Sequence, residues 1–378
     1  MDIHGYCDDK FGQVREEFEN NFTERGDVGA SFALTIDGEY VIDIWAGHTD
    51  ADRSQDWQED TIVNVYSTTK TMTFISALML ADRGELDLDA PVVNYWPEFG
   101  QKGKGDLPVK FFLSHSAGLP GFDPALTTDE LYDWDTATNN LASQAPWWEP
   151  GSASGYHAIT QGFLIGELIR RISGKSFGTF FRDEIADVVG ADFHIGVDPK
   201  EFSRIADLVP APDESPLMQM DPETITSRVF ASAELPDDVT RTEGWRRAEI
   251  PAANGHGNAR SVVRAQTAMA NNGKAFGKQL LSEQGCRRAL EEQISGPDKV
   301  LIMPMRFGMG YGFSTDMINM GPNPNTIWWG GAGGSTIIID TDAHLCFSYV
   351  MNQMKAAIVG DERGGSLGRA VYQGLGLS

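Results

Sequence analysis

Alternating, β-branched and aromatic runs gather at the two ends of this 378-residue chain, and helix-period runs fill its middle. Near the start, Ala30–Ile36 and Tyr40–Trp45 are β-rich and are joined by Asp37-Gly38-Glu39, a short glycine-containing connection that predicts a hairpin. Near the end, Tyr311–Ser314, Thr326–Trp329, Ser335–Asp340 and Leu345–Met351 read as successive short strands. Between them the spacing predicts a helix from Ser67 to Arg83, with Phe74, Ile75, Leu78 and Met79 on one side and Gly84 as its stop. A second helical run covers Ile159–Ile172, and amphipathic helices are expected at Asp8–Phe22, on Phe11, Val14 and Phe18, and at Ser366–Leu375. The simplest packing puts both β-rich ends into one antiparallel sheet flanked by helices, an α+β architecture.

The length exceeds the ~250–300 residues at which one core usually stops growing, so two subdomains are expected. Residues 1–62 and 301–378 would form an α/β unit around the sheet, residues 63–300 a mostly helical one, with the site at their junction. Turn-rich connections, notably Pro108–Pro124 and Pro146–Gly155, separate the helices of the middle. The stretch Pro199–Gly257, rich in Pro, Asp and Met, has little periodicity and reads either as a cover over a cleft or as an insertion.

The formal charge of −24 repels phosphate backbones and anionic lipid, which argues against nucleic-acid and membrane-surface partners. An acid-rich solvent shell explains the excess most simply, and a salt-adapted host is the alternative. The first ten residues lack the basic and apolar regions of a signal peptide, and the longest apolar stretch, around Phe74–Ala81, is far short of the ~20 residues that span a bilayer. Three cysteines (7, 286 and 346) cannot all pair and match no zinc spacing, so a reducing, cytoplasmic location is expected. The seven histidines are scattered without a helical ligand pair, and no phosphate-loop or dinucleotide fingerprint occurs; neither a metal nor another cofactor is expected.

Three motifs carry chemistry. In Ser67-Thr68-Thr69-Lys70 a helix would bring the serine hydroxyl and the lysine amine onto one face. The lysine could take the serine proton or lower its pKa, and the helix N-terminus favours a developing anion. The plain alternative is a helix-capping serine with an exposed lysine. Pro150–Tyr156 is a turn-rich loop that delivers Tyr156 just before a helix. Beside a lysine cation its phenolate would be favoured and could act as a base near neutrality; otherwise it is a tyrosine packed at a junction. Trp328–Ser335 holds four glycines in five positions, which would let a ligand approach the strand closely and free N–H groups as oxyanion donors, or would simply make a glycine-rich hairpin or bulge. A further match, Gly174-Lys175-Ser176-Phe177-Gly178, has the G-x-S-x-G pattern, but a helical run precedes it where a nucleophile elbow needs a strand.

In this order and spacing the three motifs resemble the penicillin-binding-protein and class C β-lactamase superfamily of serine hydrolases, and within it family VIII carboxylesterases. The likeness covers nearly the whole chain. It includes Ser67–Lys70, ADRGELDLDAPVVNYWPEF from Ala81, LSHSAGLP at Leu113–Pro120, WEPG at Trp148–Gly151, Tyr156, and GHGNARS at Gly255–Ser261. The resemblance implies a β-lactamase/transpeptidase-like fold, Ser67 as nucleophile, and Lys70 and Tyr156 as the proton-handling pair. It further implies an oxyanion hole from the backbone N–H groups of Ser67 and Ala332, and substrate contacts from Trp329, Gly330 and Gly331. His115 falls in a segment read as structural.

Two departures bear on substrate. The family's Tyr-x-Asn reads Tyr156-His157-Ala158, and its Lys-Thr-Gly reads Trp329-Gly330-Gly331. Both remove polar recognition of a penicillin or peptide, and the second puts an indole in place of a cation. The expected function is therefore a serine carboxylesterase acting on small neutral esters through an acyl-enzyme on Ser67. The alternatives are an acyltransferase, an amidase or a β-lactam hydrolase using the same site, or a catalytically inactive binding protein on the same fold. Oligomeric state stays open, a homo-oligomer included.

Overall fold

In the computed structural model, residues 1–213 and 220–377 are described. Nine strands form one sheet: β1 (His4–Cys7), β2 (Gly29–Ile36), β3 (Glu39–Gly47), β4 (Ile294–Pro297), β5 (Pro304–Phe307), β6 (Gly312–Phe313), β7 (Thr326–Gly330), β8 (Thr336–Asp340) and β9 (Leu345–Met351). Their order is β1-β3-β2-β9-β8-β7-β6-β5-β4, every neighbouring pair antiparallel. Among the described residues the helices of ten residues or more are α1 (Gly12–Thr23), α2 (Lys70–Asp82), α3 (Trp134–Ser143), α4 (Thr160–Ser173), α5 (Ala259–Ala270) and α6 (Glu362–Leu375).

The two ends of the chain meet at the centre of the sheet, where Ser31 pairs with Val350 and Phe32 with Tyr349. The β2–β3 turn places Asp37 at φ 51° and Gly38 at φ 86°, the two left-handed residues that match strand twist in a tight hairpin. Strands β7, β8 and β9 are buried at every residue because helices cover both faces, so the polar residues among them sit in contacts rather than in water. On one face α5 docks: Ser31 Oγ accepts the Ala259 N–H (3.0 Å) and Thr35 Oγ1 meets Thr267 Oγ1 (2.9 Å). On the other, Phe32 packs on Phe347 and Phe347 on Tyr372 of α6.

Three outer strands escaped the sequence reading. The edge strand β1 is nearly all exposed, the opposite edge β4 reads ISGP, and its neighbour β5 reads PMRF, both short and proline-bearing. The sheet thus begins its last run at Ile294 rather than Tyr311. A second correction concerns α2. The sequence gives it one apolar side, yet Lys70–Leu80 is buried all round. Its polar residues are absorbed by carbonyls: Thr71 donates to Thr68, Thr73 to Pro251 (2.7 Å) and Ser76 to Met72 (2.7 Å). This places the start of α2 deep between the sheet and the helices.

The segment Pro199–Gly257 straps across the molecule, apart from 214–219, which lie outside the described residues. Val209 exchanges backbone hydrogen bonds with Asn352 and Met354, and Leu126 does so with Ser232 and Glu234. Its buried Trp245 meets the ring of Tyr66, the residue before Ser67.

Candidate active site

Ser67 lies in a single helical turn, Tyr66–Thr69, that runs directly into α2. Tyr66 has φ 43°, an uncommon backbone state for a bulky residue, and it sets the chain's sharp change of direction before the serine. Thr69 Oγ1 accepts the Gly255 N–H (2.9 Å), and Thr68 Oγ1 and the Val65 carbonyl both bond Ser335 Oγ at 2.9 Å. The turn that carries Ser67 is thereby latched both to the Gly255–Ser261 segment and to the start of β8.

The three residues predicted to work together do converge. Ser67 Oγ is 3.1 Å from Lys70 Nζ and 2.5 Å from the Tyr156 hydroxyl. Lys70 and Tyr156 are essentially inaccessible, and Ser67 is 8% exposed. Lys70 Nζ also donates to the carbonyls of Ala158 (2.7 Å) and Ala252 (2.9 Å). Among the described residues no carboxylate partners the amine, and burial holds its pKa well below the usual lysine range. The same burial, aided by the charge of Asp298 and opposed by the Ser67 hydrogen bond, raises the Tyr156 phenol.

Burial favours the uncharged amine and the uncharged phenol over an ammonium beside a phenolate. The amine donates to Ser67 Oγ as well as to the two carbonyls, and of the Ser67 and Tyr156 hydroxyls either can be the donor. Once deprotonated, with its two hydrogens on the carbonyls, the amine presents a lone pair to the serine hydroxyl.

Among the described residues neither the Ser67 N–H nor the Ala332 N–H has a hydrogen-bond partner, whereas those of Gly331, Gly333 and Gly334 do. A Cβ on Gly331 would lie 3.3 Å from Ser67 N, so the two segments that carry the free donors touch.

The expected substrate contacts fare differently. Trp329 is fully buried: its indole stacks on the His115 ring (5.4 Å, 18° between planes) and packs on Phe307, Phe74 and Tyr156. It backs the tyrosine from the core side and cannot line a substrate. Gly330 and Gly331 yield space to the protein itself. A Cβ would come within 2.7 Å of the Val359 backbone at the first and 2.2 Å of the Val65 carbonyl at the second. The half-buried aromatic beside the tyrosine loop is Trp148, against which Gly155 packs.

Ser176 caps the short helix Phe177–Phe181 and bonds Glu249 Oε1 (2.6 Å), between two helices and far from an elbow geometry. His115 and His157 are buried and held neutral, with His157 pushed down to about 3. The carbonyls of Ala158 and Ala252, and the Asp298 carboxylate, are site components that the sequence did not single out. Among the described residues no cluster of three or more His, Cys, Asp or Glu side chains could hold a metal ion, and no helix is long and apolar enough to cross a membrane.

A deep serine on a helix-starting turn, one turn from a buried lysine and capped by a coil tyrosine at the edge of an antiparallel sheet, defines a β-lactamase/transpeptidase-like fold. The chain belongs to the beta-lactamase family, whose model matches residues 18–365. It is 32% identical to the esterase/beta-lactamase LipL of Mycobacterium tuberculosis over 97% of this chain and 86% of that protein. A crystal structure of a family VIII carboxylesterase superposes with a TM-score of 0.93 at 39% identity, covering 99% of this chain and all of the other. A penicillin-binding protein homologue from Caulobacter crescentus gives 0.92 at 36% identity, again over 99% of this chain and all of the other.

Proposed function

We propose that the protein is a serine carboxylesterase that hydrolyses small neutral esters through an acyl-enzyme on Ser67. The observation that carries this is the Ser67 hydroxyl, within reach of both the buried Lys70 amine and the Tyr156 phenol. Ser67 Oγ attacks the ester carbonyl as its proton passes to Lys70. The N–H groups of Ser67 and Ala332 receive the tetrahedral oxyanion, each worth ~3–4 kcal/mol of barrier. Tyr156 gives its proton to the leaving alkoxide, and the resulting phenolate is stabilised by the lysine ammonium, whose nitrogen lies 4.8 Å from the ring centre. Water then attacks the acyl group, its proton going to the phenolate, while Lys70 returns its own to Ser67. The acid leaves, and serine, amine and phenol are restored.

Neutral substrates follow from what surrounds the triad. Position 158 has no carboxamide and position 329 no cation to grip a lactam, the indole at 329 facing the core, and the net charge of −24 disfavours anions. β-Lactam hydrolysis is the second reading, supported by the double name of LipL. The three free cysteines support a cytoplasmic setting. The functional division proposed is a sheet unit of 1–62 with 301–378 and a mostly helical unit of 63–300, whose strand Ile294–Pro297 joins the sheet; the first gives Ala332 and the second Ser67, Lys70 and Tyr156.

Rates on p-nitrophenyl esters and a chromogenic cephalosporin decide between the two substrate classes, faster cephalosporin turnover defeating the ester reading. Ser67→Ala abolishes activity and Ser176→Ala leaves it intact; the reverse result overturns the assignment.

A further inference from the structure

Tyr156 belongs to no helix or strand: residues 153–157 are irregular, yet the phenol must stay against Ser67. A coil residue holds a fixed place only if its backbone groups find partners. Here three successive amides do. The Gly155 N–H donates to the His115 carbonyl (3.0 Å), the Tyr156 N–H to Asp298 Oδ1 (3.0 Å), and the His157 N–H to His115 Nδ1 (3.0 Å). The amides before, at and after the tyrosine are thus gripped by two residues remote in sequence.

Both grips are built into the core. His115 is fully buried and adopts φ 56°, a left-handed state that costs energy away from glycine, and from it both carbonyl and ring reach the same three residues. Its Nδ1 accepts, so its proton sits on Nε2, which has no partner among the described residues. Asp298 is 2% exposed; its Oδ1 also accepts the Val300 and Leu301 N–H groups at 2.9 Å, while its Oδ2 is buried without a partner. The titratable groups around the phenol are Lys70, His115, His157 and Asp298, with Lys299 at the rim of the loop. Of these, the Asp298 charge reinforces burial in keeping the proton on the group that must donate it.

We propose that His115 and Asp298 are positioning residues of the reaction, acting through Tyr156 by holding the coil at 155–157 so that its phenol meets both Ser67 and the leaving group. This rests on the esterase reading of Ser67 and Tyr156. A positioning residue for a proton donor has a signature that a general structural residue lacks. Its loss slows esters with poor leaving groups, which need the proton, more than p-nitrophenyl esters, which do not.

The test compares an ethyl and a p-nitrophenyl ester of the same acid. Asp298→Ala and His115→Ala are each expected to lower kcat on the ethyl ester about 100-fold, with a much smaller loss on the aryl ester and KM within about threefold. Asp298→Asn and His115→Asn, which keep an acceptor in place, restore most of the rate. In a Tyr156→Phe background the alanine changes cost less than about threefold more, because what they position is gone. Asp298→Glu, which moves the acceptor by one methylene, takes the place of an alanine variant that does not fold, with the same expectation. Equal losses on both esters, or full additivity with Tyr156→Phe, overturn the proposal. Fluorophosphonate labelling of the wild type is read first. No adduct at Ser67 removes the esterase reading and this proposal together, whereas an adduct with additive losses removes this proposal alone.

Discussion

The amine of Lys70 lies 2.9 Å from the carbonyl oxygen of Ala252, a backbone acceptor supplied by a segment 182 residues further along the chain. With Ala158 it holds the amine beside Ser67, while burial favours the amine's uncharged form, and the first prediction follows from that.

A lysine kept neutral in the fold but protonated when unfolded costs stability at every pH below ~10.4. The unfolded chain binds the extra proton, so stability rises with pH up to that value and falls as pH drops toward the depressed folded-state pKa. Lys70→Met abolishes turnover and removes this titration. In urea unfolding, the wild type should therefore gain on the Met variant as pH rises, by up to ~1.4 kcal/mol per pH unit. A gap independent of pH would mean that the folded-state amine is charged.

Trp329→Ala opens a cavity within the ring cluster of His115, Phe307, Phe74 and Tyr156. The expected cost is ~3–5 kcal/mol of stability with a reduced kcat. KM for small esters should stay nearly constant. A raised KM with unchanged melting temperature would return the indole to the substrate pocket.

Gly331→Ala forces a Cβ to within 2.2 Å of the Val65 carbonyl and 2.4 Å of Ser335 Oγ, both part of the latch on the nucleophile turn. The end of β7 must move off Ser67, separating the two oxyanion donors. We expect kcat to fall by ~10²–10³ in folded protein. Gly174→Ala is the control: nothing lies within 4 Å of its Cβ, and its strain at φ 70° touches only the end of α4. Activity equal to wild type in the Gly331 variant would show that the donors do not depend on this contact.

Arg363 is buried with Asp27 (2.6 Å), Asp361 (2.6 Å) and the Gly333 carbonyl (2.6 Å), next to Ala332. Tyr349 also donates to Asp27. Arg363→Met strands the Asp27 carboxylate and should cost ~3–5 kcal/mol. Burial already pushes Asp27 up to about 6 against the pull of Arg363, so losing the cation pushes it higher. The variant then takes up a proton at a pH where the wild type does not, and its deficit should shrink as pH falls from ~8 toward ~6. Chemical denaturation across that range checks it, and a deficit that grows at lower pH would contradict it.

The proposed catalytic trio was legible because it is written in side chains at telling spacings: Ser67 and Lys70 one turn apart, Tyr156 ahead of a helix. The carbonyls of Ala158 and Ala252 were not, since every residue has one and only the fold says which are aimed at an amine. Asp298 is one of 54 acidic residues and stands out only once its three amide donors are seen. Trp329 was misplaced because a strand covered on both faces gives no polar alternation from which to read direction. Edge strands β1 and β4 were missed for the converse reason, having too little apolar surface to show a period, and β5 because four residues are too few to show one.

The pairing of Ser31 with Val350 joins stretches more than three hundred residues apart, and Ala332 must reach a serine made early in the chain. A polypeptide still on the ribosome with only its first three hundred residues emerged has its nucleophile but lacks the central strands β7, β8 and β9 and the second oxyanion donor. Such distant pairings close slowly. Ester cleavage should therefore require β7, β8 and β9 to have joined the early strands, and a chain cut after residue 300 should be inactive.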